Sequence, residues 1–199
     1  MKSNQSAPIL CLGDSLTEGF GVSNEFCYPT LLQKRLLEYG FKRQVINAGR
    51  SGDTTKGVLW RLERLLAQSV DMAILTIGLN DGFMGVPVTT IHKNLESIIQ
   101  KLQLHHIRVI LSGLQLPSDF PNATRKEFAA LYPTLAAQHN LHLIPFFQEG
   151  IFENPTYNQW DNVHPNEAGY RVILETIWKV VSPLLTTEEP GPTRQETEG

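Results

Sequence analysis

The segment Ile9-Leu10-Cys11-Leu12-Gly13-Asp14-Ser15-Leu16 passes from an apolar run into a glycine turn that carries a hydroxyl. A short apolar run that ends in a turn signal predicts a buried strand, here over residues 9–12. In open α/β sheets, ligands bind beyond the carboxyl ends of the strands. The sequence therefore places Ser15 at the edge of a sheet where chemistry is expected.

Apolar runs alternate with amphipathic patterns along the rest of the chain, which is typical of a parallel sheet wrapped by helices. The predicted strands cover residues 9–12, 44–47, 72–77, 109–111 and 143–145. The predicted helices cover residues 28–39, 55–66, 88–104, 124–139 and about 165–184. Pro133 predicts a kink or a break in the fourth helix. The predicted fold class is α/β, a three-layer α/β/α sandwich with a five-stranded parallel sheet.

Length and composition predict one domain over residues 1–185 of the 199-residue chain. Residues 186–199 have no apolar periodicity and are predicted to be a disordered tail. This tail carries the whole formal net charge of -3. The neutral remainder lacks the basic footprint of a nucleic-acid-binding protein, so no nucleic-acid partner is expected.

The chain shows neither a signal-peptide core nor an apolar run long enough to span a membrane. We therefore expect a cytoplasmic protein without a stable membrane anchor, or a periplasmic or secreted protein if a leader has been removed. Cys11 lies in a predicted core strand, which favours a reduced thiol over a disulfide with Cys27.

A carboxylate and an imidazole lie three residues apart in the segment Asp161-Asn162-Val163-His164. A serine hydroxyl is a weak nucleophile until a base takes its proton, and an imidazole oriented by a carboxylate is such a base. Of six histidines, only His164 has an aspartate three residues before it. This spacing also occurs in surface turns, so it gains weight only together with Ser15.

Two further segments offer hydrogen-bond donors for a negatively charged oxygen. Gly52 offers a backbone N–H that substrate can approach closely, and Asn80 offers a side-chain amide. The backbone N–H of Ser15 would be the third donor. The alternative for the Gly52 segment is an ordinary strand-to-helix turn with Asp53 or Thr54 as the N-cap.

These residues resemble the four blocks of the GDSL or SGNH hydrolases, which contribute serine, glycine, asparagine and histidine in that chain order. The resemblance spans residues 8–184 and is similar to the bacterial arylesterase and thioesterase I/lysophospholipase branch. It is carried further by four segments: Gly13-Asp14-Ser15-Leu16-Thr17-Glu18-Gly19, Asn47-Ala48-Gly49-Arg50-Ser51-Gly52-Asp53-Thr54-Thr55, Leu131-Tyr132-Pro133 and Ile144-Pro145-Phe146-Phe147.

The resemblance implies a flavodoxin-like SGNH fold and a serine esterase or thioesterase that works through an acyl-enzyme. Ser15, His164 and Asp161 would be catalytic, and Ser15, Gly52 and Asn80 would form the oxyanion hole. No metal or organic cofactor is expected. The expected partner is a small acyl ester or thioester, and the expected state is a monomer or a weak dimer. A carbohydrate O-deacetylase, or an inactive lipid- or carbohydrate-binding module, would share the same fold.

The segment after Asn80 is apolar and flanked by glycines, so Phe83 and Met84 are predicted to line an acyl groove. Leu116 is predicted to form the opposite wall. The alternative is that Phe83 and Met84 cap the core.

Two positions depart from the family pattern. Leu79 replaces a glycine, so the turn before Asn80 is expected to differ. Asn162 occupies another glycine position, where asparagine tolerates left-handed backbone angles. Asp14 and Asp81 are expected to brace loops rather than react.

Other site types fit poorly. The glycines near Ser15 lack the lysine and spacing of a phosphate loop, and no GxSxG elbow is present. The pairs His105-His106 and His139-x-x-His142 lack the spacing and carboxylate partners of a zinc site.

Overall fold

The computed structural model describes residues 7–186 of the chain. Its five strands form one sheet in the order β2-β1-β3-β4-β5, and all four pairings are parallel. This confirms the predicted fold class, and every predicted strand agrees with an observed one to within two residues. The strands are β1 (Ile9–Gly13), β2 (Val45–Gly49), β3 (Met72–Thr76), β4 (Arg108–Ser112) and β5 (His142–Ile144).

The long helices agree equally well with the sequence pattern. The two short helices, α1 and α4, were not predicted, because four or five residues are too few to show a helical period. The helices are α1 (Ser15–Glu18), α2 (Tyr28–Glu38), α3 (Thr55–Leu66), α4 (Leu79–Phe83), α5 (Val88–Leu104), α6 (Asn122–His139) and α7 (Glu167–Thr186).

Helices cover both faces of the sheet. Right-handed crossovers between strands in this order place α2 and α7 on one face and α3, α5 and α6 on the other. Packing between α2 and α7, between α3 and α5, and between α5 and α6 agrees with this arrangement. The central strands β1 and β3 are buried at every position. The domain is therefore the predicted three-layer sandwich.

A kink or a break was predicted at Pro133; the break is wrong, because α6 runs through this residue. A proline inside a helix removes one backbone hydrogen bond, which packing on both sides can offset. The Tyr132 hydroxyl also donates to the carbonyl of Ile77 at 3.1 Å. The residues of α6 that are buried around the proline are Phe128, Leu131, Tyr132, Leu135 and Ala136.

The last helix, α7, includes Thr186, the first residue of the predicted tail. The remainder of that tail, residues 187–199, lies outside the described residues. Cys11 and Cys27 are both free and buried. Burial raises the pKa of the Cys11 thiol to about 12. Within residues 7–186, no helix combines the length and the apolar character that crossing a bilayer requires.

Candidate active site

Four segments carry the predicted site residues away from the carboxyl ends of β1, β2, β3 and β5. Strands β1, β2 and β3 end level with one another, because Gly13 pairs with both Gly49 and Thr76. In this strand order the chain switches direction across the sheet between β1 and β3. Ligand sites of doubly wound sheets lie at such points.

Ser15, His164 and Asp161 form one continuous line of hydrogen bonds. The Oγ atom of Ser15 lies 2.9 Å from Nε2 of His164, although 149 residues separate them in sequence. The other ring nitrogen, Nδ1, lies 2.6 Å from Oδ2 of Asp161. A serine hydroxyl beside an imidazole that a carboxylate orients can act as a nucleophile.

The loop that ends at His164 holds the Asp161 carboxylate in its ionised form. The backbone N–H groups of Val163 and His164 both donate to Oδ1 of Asp161 at 2.9 Å. Burial opposes ionisation, but these bonds and the one from the imidazole together lower the pKa of Asp161. Asn162 adopts a φ of +57°, the left-handed conformation predicted at this position. The local turn therefore fixes carboxylate and imidazole as one unit.

The three predicted donors are the backbone N–H groups of Ser15 and Gly52 and the side-chain amide of Asn80. No acceptor within residues 7–186 takes the backbone N–H of Ser15 or of Gly52. The side-chain amide of Asn80 donates one of its two N–H groups to the carbonyl of Asp53 at 2.8 Å, so the other is available. Gly52 has a φ of +79°, and a Cβ there would meet nothing within 4 Å. Its conformation, rather than a lack of space, favours glycine.

Arg61 of α3 ties the donor-bearing segments together, and sequence reasoning missed it. Its Nε donates to Oδ2 of Asp53 at 2.6 Å. Its Nη2 donates to the carbonyls of Gly13 at 3.0 Å and Ala48 at 2.8 Å. One mostly buried guanidinium therefore links the ends of β1 and β2 to the residue that orients Asn80. Two of its acceptors are main-chain carbonyls, which leave no trace in a sequence.

Glu18 is a second residue that the sequence did not identify. Its Oε2 accepts the backbone N–H of Ser51 at 2.9 Å and also the Ser51 hydroxyl. This contact fastens α1, which begins at Ser15, to the turn that carries Gly52. The glutamate lies within the motif Gly13-Asp14-Ser15-Leu16-Thr17-Glu18-Gly19, which is the only sequence signal for it.

Asp14 and Asp81 brace loops, as expected. Oδ1 of Asp14 accepts the N–H of Leu16 at 3.0 Å, whereas Asp81 accepts the N–H and hydroxyl of Thr55 at 2.8 and 2.6 Å. Burial raises the pKa of both carboxyls, that of Asp14 to about 7. The charges of Asp53 and Asp81 raise the pKa of Asp14 further.

The turns that precede α3 and α4 position the donors of Gly52 and Asn80. Thr54 is the N-cap of α3, and its hydroxyl accepts the N–H of Gly57 at 3.2 Å. The Gly52 segment is thus a capped strand-to-helix turn and an open N–H donor at once. Leu79 takes ordinary helical angles in α4, because the positive φ of +125° falls on Gly78. The leucine is buried, and Asn80 still reaches the carbonyl of Asp53.

The predicted substrate-binding residues lie in two environments. Phe83 is 39% and Met84 67% exposed, so both side chains leave apolar surface open to solvent. The Phe83 ring lies 5.9 Å from that of Phe120. Leu116 is buried behind Gly82 and lines a cavity of about 240 Å³ beside α5 and α6.

An aromatic side chain that sequence reasoning did not single out touches the imidazole. The ring centroids of Phe20 and His164 lie 4.7 Å apart, with the planes tilted by 47°.

Residues 7–186 contain no group of three or more histidine, cysteine, aspartate or glutamate residues that could hold a metal ion.

Comparison with known proteins places this chain in a class of hydrolytic enzymes. Residues 11–172 match the model described as the GDSL-like Lipase/Acylhydrolase family. The chain belongs to this family.

The chain resembles named relatives over most of its length. It is 36% identical to Esterase TesA of Pseudomonas aeruginosa, with 89% of each chain covered. It is 34% identical to the Arylesterase of Vibrio mimicus, with 88% of each chain covered. It is 33% identical to Thioesterase 1/protease 1/lysophospholipase L1 of Escherichia coli K12, covering 89% of this chain and 84% of the relative.

The fold agrees with that of solved relatives. A crystal structure of TesA superimposes with a TM-score of 0.86 at 35% identity, covering 89% of this chain and 99% of the other. The predicted membership in the SGNH hydrolases is confirmed.

Proposed function

We propose that this hydrolase is a serine esterase that cleaves small acyl esters or thioesters through Ser15, His164, Asp161 and an acyl-enzyme. The observation that carries the proposal is the hydrogen-bonded line from the hydroxyl of Ser15 through the imidazole to the Asp161 carboxylate. Three residues on two distant segments meet in the order hydroxyl, imidazole, carboxylate, an arrangement that activates an alcohol.

In the first step, Ser15 Oγ attacks the substrate carbonyl while Nε2 of His164 takes the hydroxyl proton. The carbonyl electron pair moves onto oxygen and forms a tetrahedral oxyanion. As this intermediate collapses, the bond to the leaving group breaks and Nε2 returns the proton to it. Asp161 holds Nδ1–H and stabilises the imidazolium.

In the second step, water attacks the acyl-enzyme by the same proton path. Nε2 takes a proton from water, a second oxyanion forms, and its collapse returns the proton to Ser15 Oγ. The products are a carboxylic acid and the free serine. This path uses only groups of the chain and water.

In both steps the proposed oxyanion hole consists of Ser15 N–H, Gly52 N–H and the free amide hydrogen of Asn80. A single preorganised donor of this kind contributes about 10²- to 10³-fold to the rate. Support comes from the two backbone N–H groups without an acceptor in the described part of the chain and from the fixed amide of Asn80.

The substrate class is argued from the relatives and from the surface near Asn80. The three relatives are named as esterase, arylesterase and thioesterase/lysophospholipase, which supports an acyl ester or thioester as the substrate. Phe83 and Met84 present apolar surface that an acyl chain would cover. Leu116 is buried behind Gly82 and would contribute to this site only from beneath the surface.

The test is the hydrolysis of p-nitrophenyl esters from acetate to palmitate by the wild type, Ser15→Ala and Ser97→Ala. The last is a matched control, because Ser97 lies on α5 and only donates to the carbonyl of Lys93. We expect turnover that Ser15→Ala abolishes and Ser97→Ala retains. A fluorophosphonate should add one adduct, on Ser15.

Turnover that survives in Ser15→Ala, or none at any chain length, contradicts the proposal. Complete absence of turnover would favour an inactive binding module. Activity confined to acetate would favour a carbohydrate O-deacetylase.

A further inference from the structure

Phe20 is a large apolar side chain in contact with the imidazole and yet 47% exposed. Other aromatic rings of the domain, such as Tyr28, Phe128 and Phe147, are fully buried and fill the core. Burial would stabilise Phe20 as well, so its exposed surface is not explained by core packing. The ring is thus partly open to solvent and in contact with the imidazole proposed to move the proton.

Phe20 is held in a fixed position relative to both reacting residues. Its N–H donates to the carbonyl of Ser15 at 3.1 Å. Its carbonyl accepts Nε2 of Gln159 at 2.7 Å, and the same nitrogen donates to the carbonyl of Pro165 at 3.0 Å. The N–H of Gln159 donates to the carbonyl of His164 at 2.8 Å. Gln159 thus fastens the turn with Phe20 to the loop with the imidazole.

The glycines on either side of Phe20 fix the course of this turn. Gly19 and Gly21 have φ values of +94° and +76°, which disfavour any other residue. A Cβ on Gly21 would also collide with the side-chain amide of Gln159. The Phe20 ring is therefore presented on a built turn rather than on a free loop.

The chemistry decides which part of a substrate would meet this ring. The proton that leaves on Nε2 of His164 is delivered to the oxygen of the leaving group, so the leaving group passes beside the imidazole. An exposed ring in contact with the imidazole borders that path. We propose that Phe20 forms a subsite for an aromatic leaving group, so that the enzyme favours aryl esters over alkyl esters of equal reactivity. This inference rests on the proposed function.

The influence of Phe20 on the leaving group is confined to the acylation step. Ser15 Oγ bonds to the acyl carbon, the bond from that carbon to the phenol oxygen breaks, and the oxygen keeps the electron pair and takes the proton from Nε2. The phenol departs and leaves an acyl-enzyme that is identical for every ester of one acid. Phe20 should therefore change kcat/KM according to the leaving group.

The test compares kcat/KM for phenyl acetate with that for hexafluoroisopropyl acetate, whose alcohol is of similar acidity but has no ring. The variants are Phe20→Leu, Phe20→Tyr and, as a matched exposed aromatic on α3, Trp60→Leu; Trp60 is 83% exposed. We expect Phe20→Leu to lower the ratio of phenyl to fluoroalkyl ester about 2- to 10-fold, the factor typical of one aromatic pair. Phe20→Tyr and Trp60→Leu should keep the wild-type ratio.

The outcomes separate the two proposals. If the wild type hydrolyses neither ester, the proposed function falls. If it hydrolyses both and Phe20→Leu leaves the ratio unchanged, or lowers both values equally, only the aromatic subsite is overturned. Should Phe20→Leu fail to fold, inhibition of the wild type by phenol and by cyclohexanol replaces it. Phenol is expected to bind more tightly, and equal inhibition would overturn the subsite.

Discussion

The turn at the serine and the segment at Phe83 and Met84 lie at the same edge of the sheet but are built in opposite ways. The first is fastened by Arg61, Glu18 and buried carboxylates through short hydrogen bonds. The second ends a five-residue helix and leaves Met84 67% exposed. The proposed catalytic groups are therefore fixed in place by their hydrogen bonds. Exposed side chains such as Met84, proposed to contact the acyl chain, can be replaced at little cost in stability.

The largest effect is expected from Asp161→Asn, which breaks the most constrained part of the site. An amide cannot hold the imidazole in the same tautomer, so kcat should fall about 10⁴-fold. Steady-state kinetics with p-nitrophenyl acetate measures this loss, and Asp119→Asn at an exposed position is the control. A loss smaller than about tenfold would mean that Asp161 does not orient the base.

Arg61→Met tests whether the buried guanidinium supports the donors or only the fold. Removing one partner of a largely buried ion pair costs about 3–5 kcal/mol of unfolding free energy. Because Asp53 also orients Asn80, we expect kcat to fall about 10- to 100-fold while KM changes little. Urea unfolding and kinetics measure the two effects, with Arg64→Met on the exposed side of α3 as the control. A stability loss with unchanged kcat would assign Arg61 to the fold alone.

Asp14→Asn tests how the buried carboxyl beside Ser15 makes stability depend on pH. The folded state raises the pKa of Asp14 from 3.8 to about 7, so it binds the proton more tightly than the unfolded chain does. This group therefore makes the wild type lose stability as pH rises from about 4 to about 7, and no further above that. Asp14→Asn has no carboxyl at this position and therefore lacks this pH-dependent loss of stability. Its unfolding free energy relative to wild type should increase by up to several kcal/mol over that range.

Urea unfolding of both proteins at a series of pH values measures this difference. Curves that stay parallel from pH 4 to 8 would show that Asp14 is ionised throughout. Asp119→Asn again serves as the control, because Asp119 lies at an exposed position.

The smallest effect is expected from Met84→Ala in the exposed segment. Covering part of a methionine side chain is worth about 1 kcal/mol, so the ratio of kcat/KM for octanoate to that for acetate should fall about fivefold. The unfolding free energy should change by less than about 0.5 kcal/mol, as for other surface positions. An unchanged chain-length preference would remove Met84 from the acyl groove.

The fold was predictable because its signal is local. Buried strands such as β1 and β3 are continuous apolar runs, and α3 and α5 carry apolar stripes that define their ends. The break predicted as one alternative at Pro133 did not occur, because a local rule takes no account of the packing on both sides of this residue. The helices α1 and α4 were missed because they are single turns.

The site was predictable only where residue type carries the chemistry. Sequence motifs identified Ser15, Asp161 and His164, and the structure brings them within hydrogen-bond distance. Arg61, Glu18 and Gln159 act mainly on main-chain carbonyls and N–H groups. Any residue type can supply such a partner, so no spacing in the sequence reveals these contacts.

The hydroxyl and the imidazole are joined across 149 residues, while Asp161 and His164 share one short loop. Translation therefore makes the proposed nucleophile long before the proposed base. The hydroxyl of Ser15 has no imidazole beside it until the loop with His164 has folded against the edge of the sheet. If the proposed reaction is correct, activity depends on this long-range contact and appears only once the distant segments of the domain have come together.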